Sequence, residues 1–135
     1  MLMADYLGFQ FVDSAEWLKF KFDGSVDTVA SYATLKEIAD DRAVVIPGFY
    51  GVLPDGNVKV LTRGGSDVTG ALAAAALDAE IYENWTDVSG ILMADPRIVD
   101  NPDTISYITY SELRELSYMG AGVLHEDAIF PVRNS

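Results

Sequence analysis

Residues 63–69, Arg-Gly-Gly-Ser-Asp-Val-Thr, bring together the groups of this chain best suited to chemistry. They follow a strand-like run and open an Ala-rich stretch, and their glycines permit a sharp turn close to a ligand. The helix start offers unpaired N–H groups and a positive dipole end. Arg63 adds a planar cation suited to carboxylate or phosphate, while Ser66 and Asp67 add a hydroxyl and a carboxylate. Such groups suit phosphoryl transfer, which needs cations, N–H donors and positioning. They equally suit an ordinary strand-to-helix turn with Ser66 as its N-cap.

A second polar group lies at residues 85–90, Trp-Thr-Asp-Val-Ser-Gly, followed by Asp95-Pro96-Arg97. Thr86 and Asp87 can accept hydrogen bonds from a ribose or an adenine amine, and Arg97 can reach a phosphate. The alternative is a polar turn with a proline-directed loop, since turns favour these residue types. His125 is the single histidine, so a metal site is not expected there; it is either a general base or a structural hydrogen-bonding residue.

Composition narrows the classes of function. The 135 residues, half of them apolar, suffice for one domain with a core. The net charge of −12 is expected to repel nucleic acids and anionic membranes, so an anionic substrate needs local cations and backbone donors. The absence of cysteine excludes disulfides and thiol nucleophiles and fits a reducing compartment. No signal peptide is expected, and no apolar run reaches the roughly 20 residues of a membrane span.

The periodicity of apolar residues predicts alternating helices and strands. Helices are expected at 2–7 ending at Gly8, 26–39 with Ser25 as N-cap, 66–77, from a cap at Thr109 or Ser111 to Met119, and 125–132. Strands are expected at 9–12, 18–22, 43–46, 80–86 and 105–108, with a hairpin of 50–53 and 58–61. This order predicts an α/β fold, a layered αβα sandwich with a mostly parallel sheet and a β-hairpin. Because loops gather at the carboxyl ends of parallel strands, the loops at 48–49, 63–67 and 86–90 are expected to meet.

Five segments in this order resemble the motifs of aspartokinases, and together they span nearly the whole chain. They are Val-Ile-Pro-Gly-Phe-Tyr-Gly at 45–51, Thr-Arg-Gly-Gly-Ser-Asp-Val-Thr at 62–69, the segment at 85–90, Asp-Pro-Arg at 95–97, and Gly-Ala-Gly-Val-Leu-His at 120–125. Five motifs at compatible spacing favour aspartokinase over carbamate or uridylate kinases. The resemblance implies the amino acid kinase fold, with residues 1–135 forming the nucleotide-side part of the catalytic domain.

The resemblance also implies an activity, the ATP-dependent phosphorylation of the side-chain carboxylate of L-aspartate on the route to lysine, threonine and methionine. It assigns Arg63 and Asp67 to catalysis, with Arg63 holding a carboxylate of aspartate. The aspartate pocket would be lined by Phe49, Arg63, Gly64 and Ser66, and ATP would be contacted by Thr86, Asp87, Leu92 and Arg97. Mg²⁺ would bridge phosphate oxygens. A cytoplasmic homo-oligomer is expected.

The chain departs from the family pattern at three positions. Leu92 stands where many members have Tyr, Gly122 where they have Lys, and Glu126 where they have Pro. The family's Lys-Phe-Gly-Gly loop and its regulatory ACT domains are not in this sequence. We therefore expect a part of a longer kinase that is not competent alone, because the transition state lacks its main cation. The alternative is a non-catalytic nucleotide-binding or assembly module that retains the fold.

Overall fold

The computed structural model of the chain describes residues 1–62, 64–85, 90–95 and 97–118. The predicted α/β class is confirmed, although helices and strands do not alternate strictly: α2 is followed by α3, and β2, β3 and β4 are consecutive. The helices are α1 (Leu2–Leu7), α2 (Ser14–Trp17), α3 (Thr28–Ala39), α4 (Gly65–Ala76) and α5 (Tyr110–Tyr118). The strands are β1 (Gln10–Phe11), β2 (Val44–Val45), β3 (Tyr50–Val52) and β4 (Val58–Val60).

The strands form two small sheets. β1 pairs in parallel with β2, Gln10 opposite Val44, and β3 pairs antiparallel with β4 to form the predicted hairpin. The run at 18–22 joins the hairpin only through one isolated bridge, Lys19 with Val52, and Phe20 bridges Val26, because the chain already turns at residues 22–24. Residues 80–85 and 105–108 are not in strands, so those two predictions are wrong; the nearest pairing is a single bridge between Leu92 and Thr104.

Helix α3 begins two residues later than the sequence predicts. Its N-cap is Asp27, whose carboxylate accepts a hydrogen bond from the Ala30 N–H at 3.1 Å. The predicted cap, Ser25, instead donates its hydroxyl proton to Asp23 within the preceding turn, at 2.7 Å. Ser25 and Asp27 are both residue types that cap helices well. The turn at 23–25 already uses the Ser25 side chain, so Asp27 caps α3.

Helix α5 starts at one of the two predicted caps. Thr109 accepts a hydrogen bond from the Glu112 N–H, and the Glu112 carboxylate accepts one from the Thr109 N–H at 2.9 Å. This reciprocal pair is a capping box, the arrangement that a Thr three residues before a Glu favours.

The core lies where α2, α3 and α4 meet the strands. Trp17, Leu18 and Leu35 are completely buried, and α3 packs directly against α4. Ala71 and Ala76 on α4 are also completely buried, and their small side chains let the two helices approach closely. The remaining core side chains are Val12, Phe20 and Leu72. This packing fixes α4, and with it the loop at its start.

Candidate functional site

The start of helix α4 is open. Gly64 occupies the N-cap position in a left-handed conformation with φ +80°, and among the described residues no side chain caps the helix. The interpretation of Ser66 as N-cap is therefore wrong, since Ser66 already lies inside the first turn, with its side chain exposed. The first-turn N–H groups have no partner within a helix and point outward with the positive dipole end, which suits an anion.

The loop that follows β2 packs onto this turn. A Cβ on Gly48 would lie 2.9 Å from the Ser66 Oγ, and a Cβ on Gly65 would lie 3.1 Å from the Phe49 Cβ. The approach at Gly48 is closer than a side chain tolerates, and a Cβ on Gly65 would also lie 2.8 Å from the Leu61 Cβ, so the contact depends on glycine at both positions. The predicted meeting of the loops at 48–49 and 63–67 is confirmed for the described residues.

Phe49 is held in an unusual backbone conformation at the centre of this contact. Its φ is +69°, and its side chain is 52% exposed. A left-handed conformation costs a residue with a bulky side chain about 1–2 kcal/mol, and such strain is concentrated at functional sites. The Leu61 N–H donates to the Phe49 carbonyl at 2.6 Å, and the Phe49 N–H donates to the Thr69 Oγ1 at 3.0 Å.

Thr69 is a site residue to which the sequence assigns no role. It is 3% exposed, and its hydroxyl donates to the Gly65 carbonyl at 2.7 Å while accepting from Phe49. A Thr in the first turns of a helix that can bond the carbonyl four residues earlier is a recognisable signal. Its other hydrogen bond, accepted from Phe49 across 20 residues, has no comparable signal in the sequence.

Helix α2 braces the same loop from the other side. The buried Ser14 hydroxyl donates to the Pro47 carbonyl, and the Tyr50 hydroxyl donates to the Asp13 carboxylate at 3.1 Å. Burial raises the pKa of Tyr50, and the bond to Asp13 raises it further. The loop is thus fixed on both flanks, which presents the Phe49 ring in one position.

Asp67 lies in the first turn of α4, half-buried, and Tyr82 closes over its backbone. The Tyr82 hydroxyl donates to the Asp67 carbonyl at 3.3 Å. Partial burial raises the pKa of Tyr82, and the nearby Asp67 carboxylate adds to this effect. The approach requires a small residue at Gly70, where a Cβ would lie 2.6 Å from the Tyr82 hydroxyl oxygen.

Arg97 and Leu92 belong to a different segment. The Arg97 guanidinium is 87% exposed and bonds the Asp95 carboxylate at 2.6 Å, which lowers the pKa of Asp95 to about 2. Leu92 is half-buried beside Thr104. The hydrogen bonds of the Arg97 side chain hold it at Asp95, so the structure does not bring it to the α4 start.

The remaining predicted site residues fall outside the described part of the chain. They are Arg63, Thr86, Asp87 and His125, together with the departures Gly122 and Glu126. Within the described residues there is no cluster of three or more side chains suited to hold a metal ion. None of the helices described there combines the length and hydropathy that crossing a bilayer requires.

Fold and site together define an α/β protein with an uncapped helix start next to a strained aromatic loop. The chain belongs to the amino acid kinase family, whose model matches residues 2–135. The predicted resemblance to aspartokinases is confirmed by individual relatives. Aspartokinase 3 of Bacillus subtilis is 44% identical over 102 residues, covering 75% of this chain and 22% of that protein.

Solved structures give the same result. The aspartate kinase of Clostridium acetobutylicum is 58% identical, with a TM-score of 0.93, over 99% of this chain and 31% of that chain. Aspartokinase III of E. coli, solved with aspartate and ADP, is 33% identical with a TM-score of 0.82, over 93% of this chain and 30% of that one. The chain thus spans between a fifth and a third of the length of these relatives.

Proposed function

We propose that the whole protein containing this chain is an aspartate kinase, which transfers the γ-phosphoryl group of ATP to the side-chain carboxylate of L-aspartate. The observation that carries the proposal is the match to the Clostridium acetobutylicum aspartate kinase, at 58% identity over 99% of the chain. A relative solved with aspartate and ADP, matched over 93% of the chain, supports the pairing of these two ligands.

The open start of α4 supplies chemistry that this reaction needs. Both reactants are anions, and the chain has a net charge of −12, so they must be captured by local donors. The first-turn N–H groups of α4 provide such donors without the cost of removing a capping side chain. Phe49, Gly64 and Ser66 line the aspartate pocket in this proposal.

Arg63 and Asp67 act on the reacting groups in this proposal. Arg63 holds a carboxylate of aspartate through its planar fork of donors, and Asp67 organises the transfer region next to Ser66. Mg²⁺ bound with ATP neutralises charge between phosphate oxygens. Such an ion takes one or two protein carboxylates, so a lone Asp67 in the first turn is compatible with it.

The nucleotide is contacted by Thr86, Asp87, Leu92 and Arg97 in this proposal. Arg97 reaches the ATP phosphates only after its bonds to Asp95 have been exchanged for bonds to the ligand. The Arg97 side chain is exposed and that of Asp95 is partly exposed, so the pair is screened by solvent and the exchange is inexpensive.

The proposal has further parts that concern the whole protein. Residues 1–135 form the nucleotide-side part of its catalytic domain, and it is a cytoplasmic homo-oligomer that serves lysine, threonine and methionine synthesis. The 135 residues alone do not turn over, because this sequence lacks the Lys-Phe-Gly-Gly loop whose lysine neutralises the phosphates.

The test is a coupled ADP-release assay of the whole protein with Mg-ATP and L-aspartate, with L-glutamate as the control acceptor. Aspartate-dependent turnover is expected, and Ser66→Ala is expected to raise the KM for aspartate by roughly tenfold if one hydrogen bond is lost. Ser25→Ala is the matched control, since its hydroxyl bonds Asp23 in a separate turn. Absence of aspartate-dependent turnover would refute the proposal.

One observation favours the second function, a non-catalytic nucleotide-binding or assembly module. The exposed Arg97 is already bonded to Asp95, as in a purely structural turn, which favours the assembly role because that role needs no phosphate contact. Calorimetric titration of the protein with Mg-ATP, with and without L-aspartate, separates the two functions. Nucleotide binding without turnover supports the module, while binding with turnover supports the kinase.

A further inference from the structure

We propose that Thr69 is a positioning residue that holds Phe49 in its left-handed conformation and thereby sets the aspartate pocket. The inference rests on the proposed function, because that function places Phe49 in the pocket. Thr69 itself is 3% exposed, so it touches no ligand and acts only through the loop.

The hydrogen bonds of Thr69 leave one arrangement for its hydroxyl. A hydroxyl has one proton and two lone pairs. The Thr69 hydroxyl gives its proton to the Gly65 carbonyl at 2.7 Å and accepts the Phe49 N–H at 3.0 Å. The bond to Gly65 is buried and the bond from Phe49 is partly buried, and the Thr69 side of both bonds is closed to water because Thr69 is only 3% exposed.

The position of Phe49 depends on this bond because its backbone is strained. With φ at +69°, Phe49 relaxes towards a negative φ unless its neighbours hold it. The Leu61 N–H holds the carbonyl side of the residue, and Thr69 holds the amide side. Without the hydroxyl, the amide is left without its partner, and the half-exposed ring moves with the backbone.

The geometry of Gly65 links the same bond to the open helix start. The Gly65 carbonyl receives the Thr69 proton, and the Gly65 Cα lies against Phe49 so closely that an added Cβ would be 3.1 Å from the Phe49 Cβ. Thr69 therefore sets the spacing between the Phe49 loop and the first turn of α4, which together enclose the pocket.

The test compares Thr69→Val, which keeps the shape and removes the hydroxyl, with Thr69→Ser, which keeps the hydroxyl. In the whole protein, Thr69→Val is expected to raise the KM for L-aspartate by roughly tenfold or more, with the KM for ATP unchanged within about twofold. Thr69→Ser is expected to restore the KM for aspartate to within about threefold of wild type. A variant that is merely less stable has a smaller active fraction. That lowers the apparent kcat but does not raise the KM for aspartate relative to the KM for ATP.

Hydrogen exchange at the Phe49 amide gives a readout that does not require activity. Thr69→Val is expected to speed this exchange by roughly tenfold, and Thr69→Ser to leave it slow. Thr34→Val is the matched control, because Thr34 donates the same kind of bond to the carbonyl four residues earlier, on α3, away from Phe49. It is expected to change neither the exchange at Phe49 nor the KM for aspartate.

The outcomes separate this inference from the proposed function. If the wild-type protein does not phosphorylate aspartate, the proposed function fails, and exchange at Phe49 still decides whether Thr69 holds the loop. If Thr69→Val matches wild type in exchange and in KM, or if Thr69→Ser behaves like Thr69→Val, the inference is overturned. Thr69→Ala, which removes the hydroxyl without adding bulk, replaces Thr69→Val if that variant does not fold.

Discussion

Helices α3 and α4 are of equal length, twelve residues each, and they pack against each other, yet they begin in opposite ways. Helix α3 is closed by its own sequence, with the Asp27 carboxylate accepting the Ala30 N–H at 3.1 Å. Helix α4 begins at Gly65, after the N-cap Gly64, which has no side chain, and among the described residues no side chain caps it. A glycine at the N-cap costs a helix only a few tenths of a kcal/mol relative to a capping side chain, and it leaves the first-turn N–H groups accessible to a ligand.

The residues around the two helix starts also differ: a short turn precedes α3, whereas a strained loop contacts the start of α4. The α3 start follows a short polar turn in which Ser25 bonds Asp23. The α4 start is contacted by a loop whose central residue, Phe49, is strained and half-exposed. The stability of α4 comes from its buried face, with Ala71 and Ala76 packed inside, which allows its first turn to remain unsatisfied. The comparison teaches that α3 and the buried face of α4 carry stabilising contacts, while the start of α4 has no side-chain cap and is the part of the helix that our proposal assigns to a ligand.

The largest effect is expected from Gly65→Ala, which places a side chain in the contact between the start of α4 and the loop that carries Phe49. The added Cβ would lie 2.8 Å from the Leu61 Cβ and 3.1 Å from the Phe49 Cβ, so the loop must shift. Overpacking of this kind costs about 1–3 kcal/mol of unfolding free energy. We expect the KM for aspartate to rise by roughly tenfold or more, since the same shift opens the pocket. Urea denaturation and steady-state kinetics measure the two effects.

The control on the same helix is Gly70→Ala. Its Cβ would also come within 2.6 Å of another atom, but that atom is the hydroxyl of Tyr82 at the end of a side chain that can turn away. The helix gains up to about 1 kcal/mol from replacing an interior glycine, which offsets the lost 3.3 Å bond to Asp67. If Gly65→Ala proved as harmless as Gly70→Ala, close contact at the α4 start would not matter to the pocket.

A smaller effect, on stability alone, is expected from Asp27→Ala. Removing the cap of α3 should lower the free energy of unfolding by about 1 kcal/mol, because the Ala30 N–H loses its acceptor. The KM for aspartate and for ATP should not change, because the closed start has no ligand. If either KM changed while the free energy of unfolding did not, the start of α3 would also take part in ligand binding, and the proposed difference between the two helix starts would be wrong.

The sequence predicts the parts of this contrast that are local. The glycines at 64 and 65, the alternation that forms the hairpin, and the cap of α5 at Thr109, one of the two residues predicted, all act over a few residues, and each is found in the structure. The capping of α3 shows the limit of such reasoning. Ser25 and Asp27 are both competent caps, and the choice between them depends on the turn at 23–25, where Ser25 is already bonded.

The parts that sequence alone does not predict depend on contacts between distant residues. The bond from Phe49 to Thr69 spans 20 residues and that from Ser14 to Pro47 spans 33, so neither leaves a periodic signal. The apolar run at 80–86 predicted a strand, yet residues 80–85 are irregular and Tyr82 turns towards α4 instead. Arg97 was predicted to bind phosphate from its residue type, and whether it does so depends on its competition with the nearby Asp95.

Asp95→Asn tests whether Arg97 has only a structural role, as the partner of Asp95, or whether it also binds a ligand, as we propose for the start of α4. The neutral amide holds Arg97 less strongly than the carboxylate does. If Arg97 reaches the ATP phosphates, the KM for ATP should fall by roughly two- to threefold. Asp100→Asn makes the same change of charge at an exposed site in the same segment and controls for the overall field. A KM for ATP that rises in Asp95→Asn alone would place the pair itself in the nucleotide site.

The same pair makes a prediction about pH. Arg97 lowers the pKa of Asp95 to about 2, below the value of about 3.9 for an unperturbed aspartate. A lowered pKa stabilises the folded state above the unfolded value, and this contribution is lost as the pH falls through the folded value. A carboxyl NMR titration should therefore find Asp95 ionised at pH values where an unperturbed aspartate is protonated, and Arg97→Met should raise its pKa towards the ordinary range while the bond from the backbone N–H of residue 97 remains.

The smallest effect is expected where the two helices are joined at their other ends. Lys36 on α3 bonds Asp78, just beyond α4, at 2.5 Å, and the two side chains are 54% and 74% exposed. Exposed pairs contribute about 0–1 kcal/mol, so Lys36→Met should lower stability by no more than this, and by less in high salt. Asp78 has φ +51°, which asparagine tolerates, so Asp78→Asn tests the charge without straining the backbone. A double-mutant cycle of these two changes, read by urea denaturation, isolates the pair. A coupling well above that range would mean that the far end of the α3–α4 pair, and not only the buried alanine face, holds the open start in place.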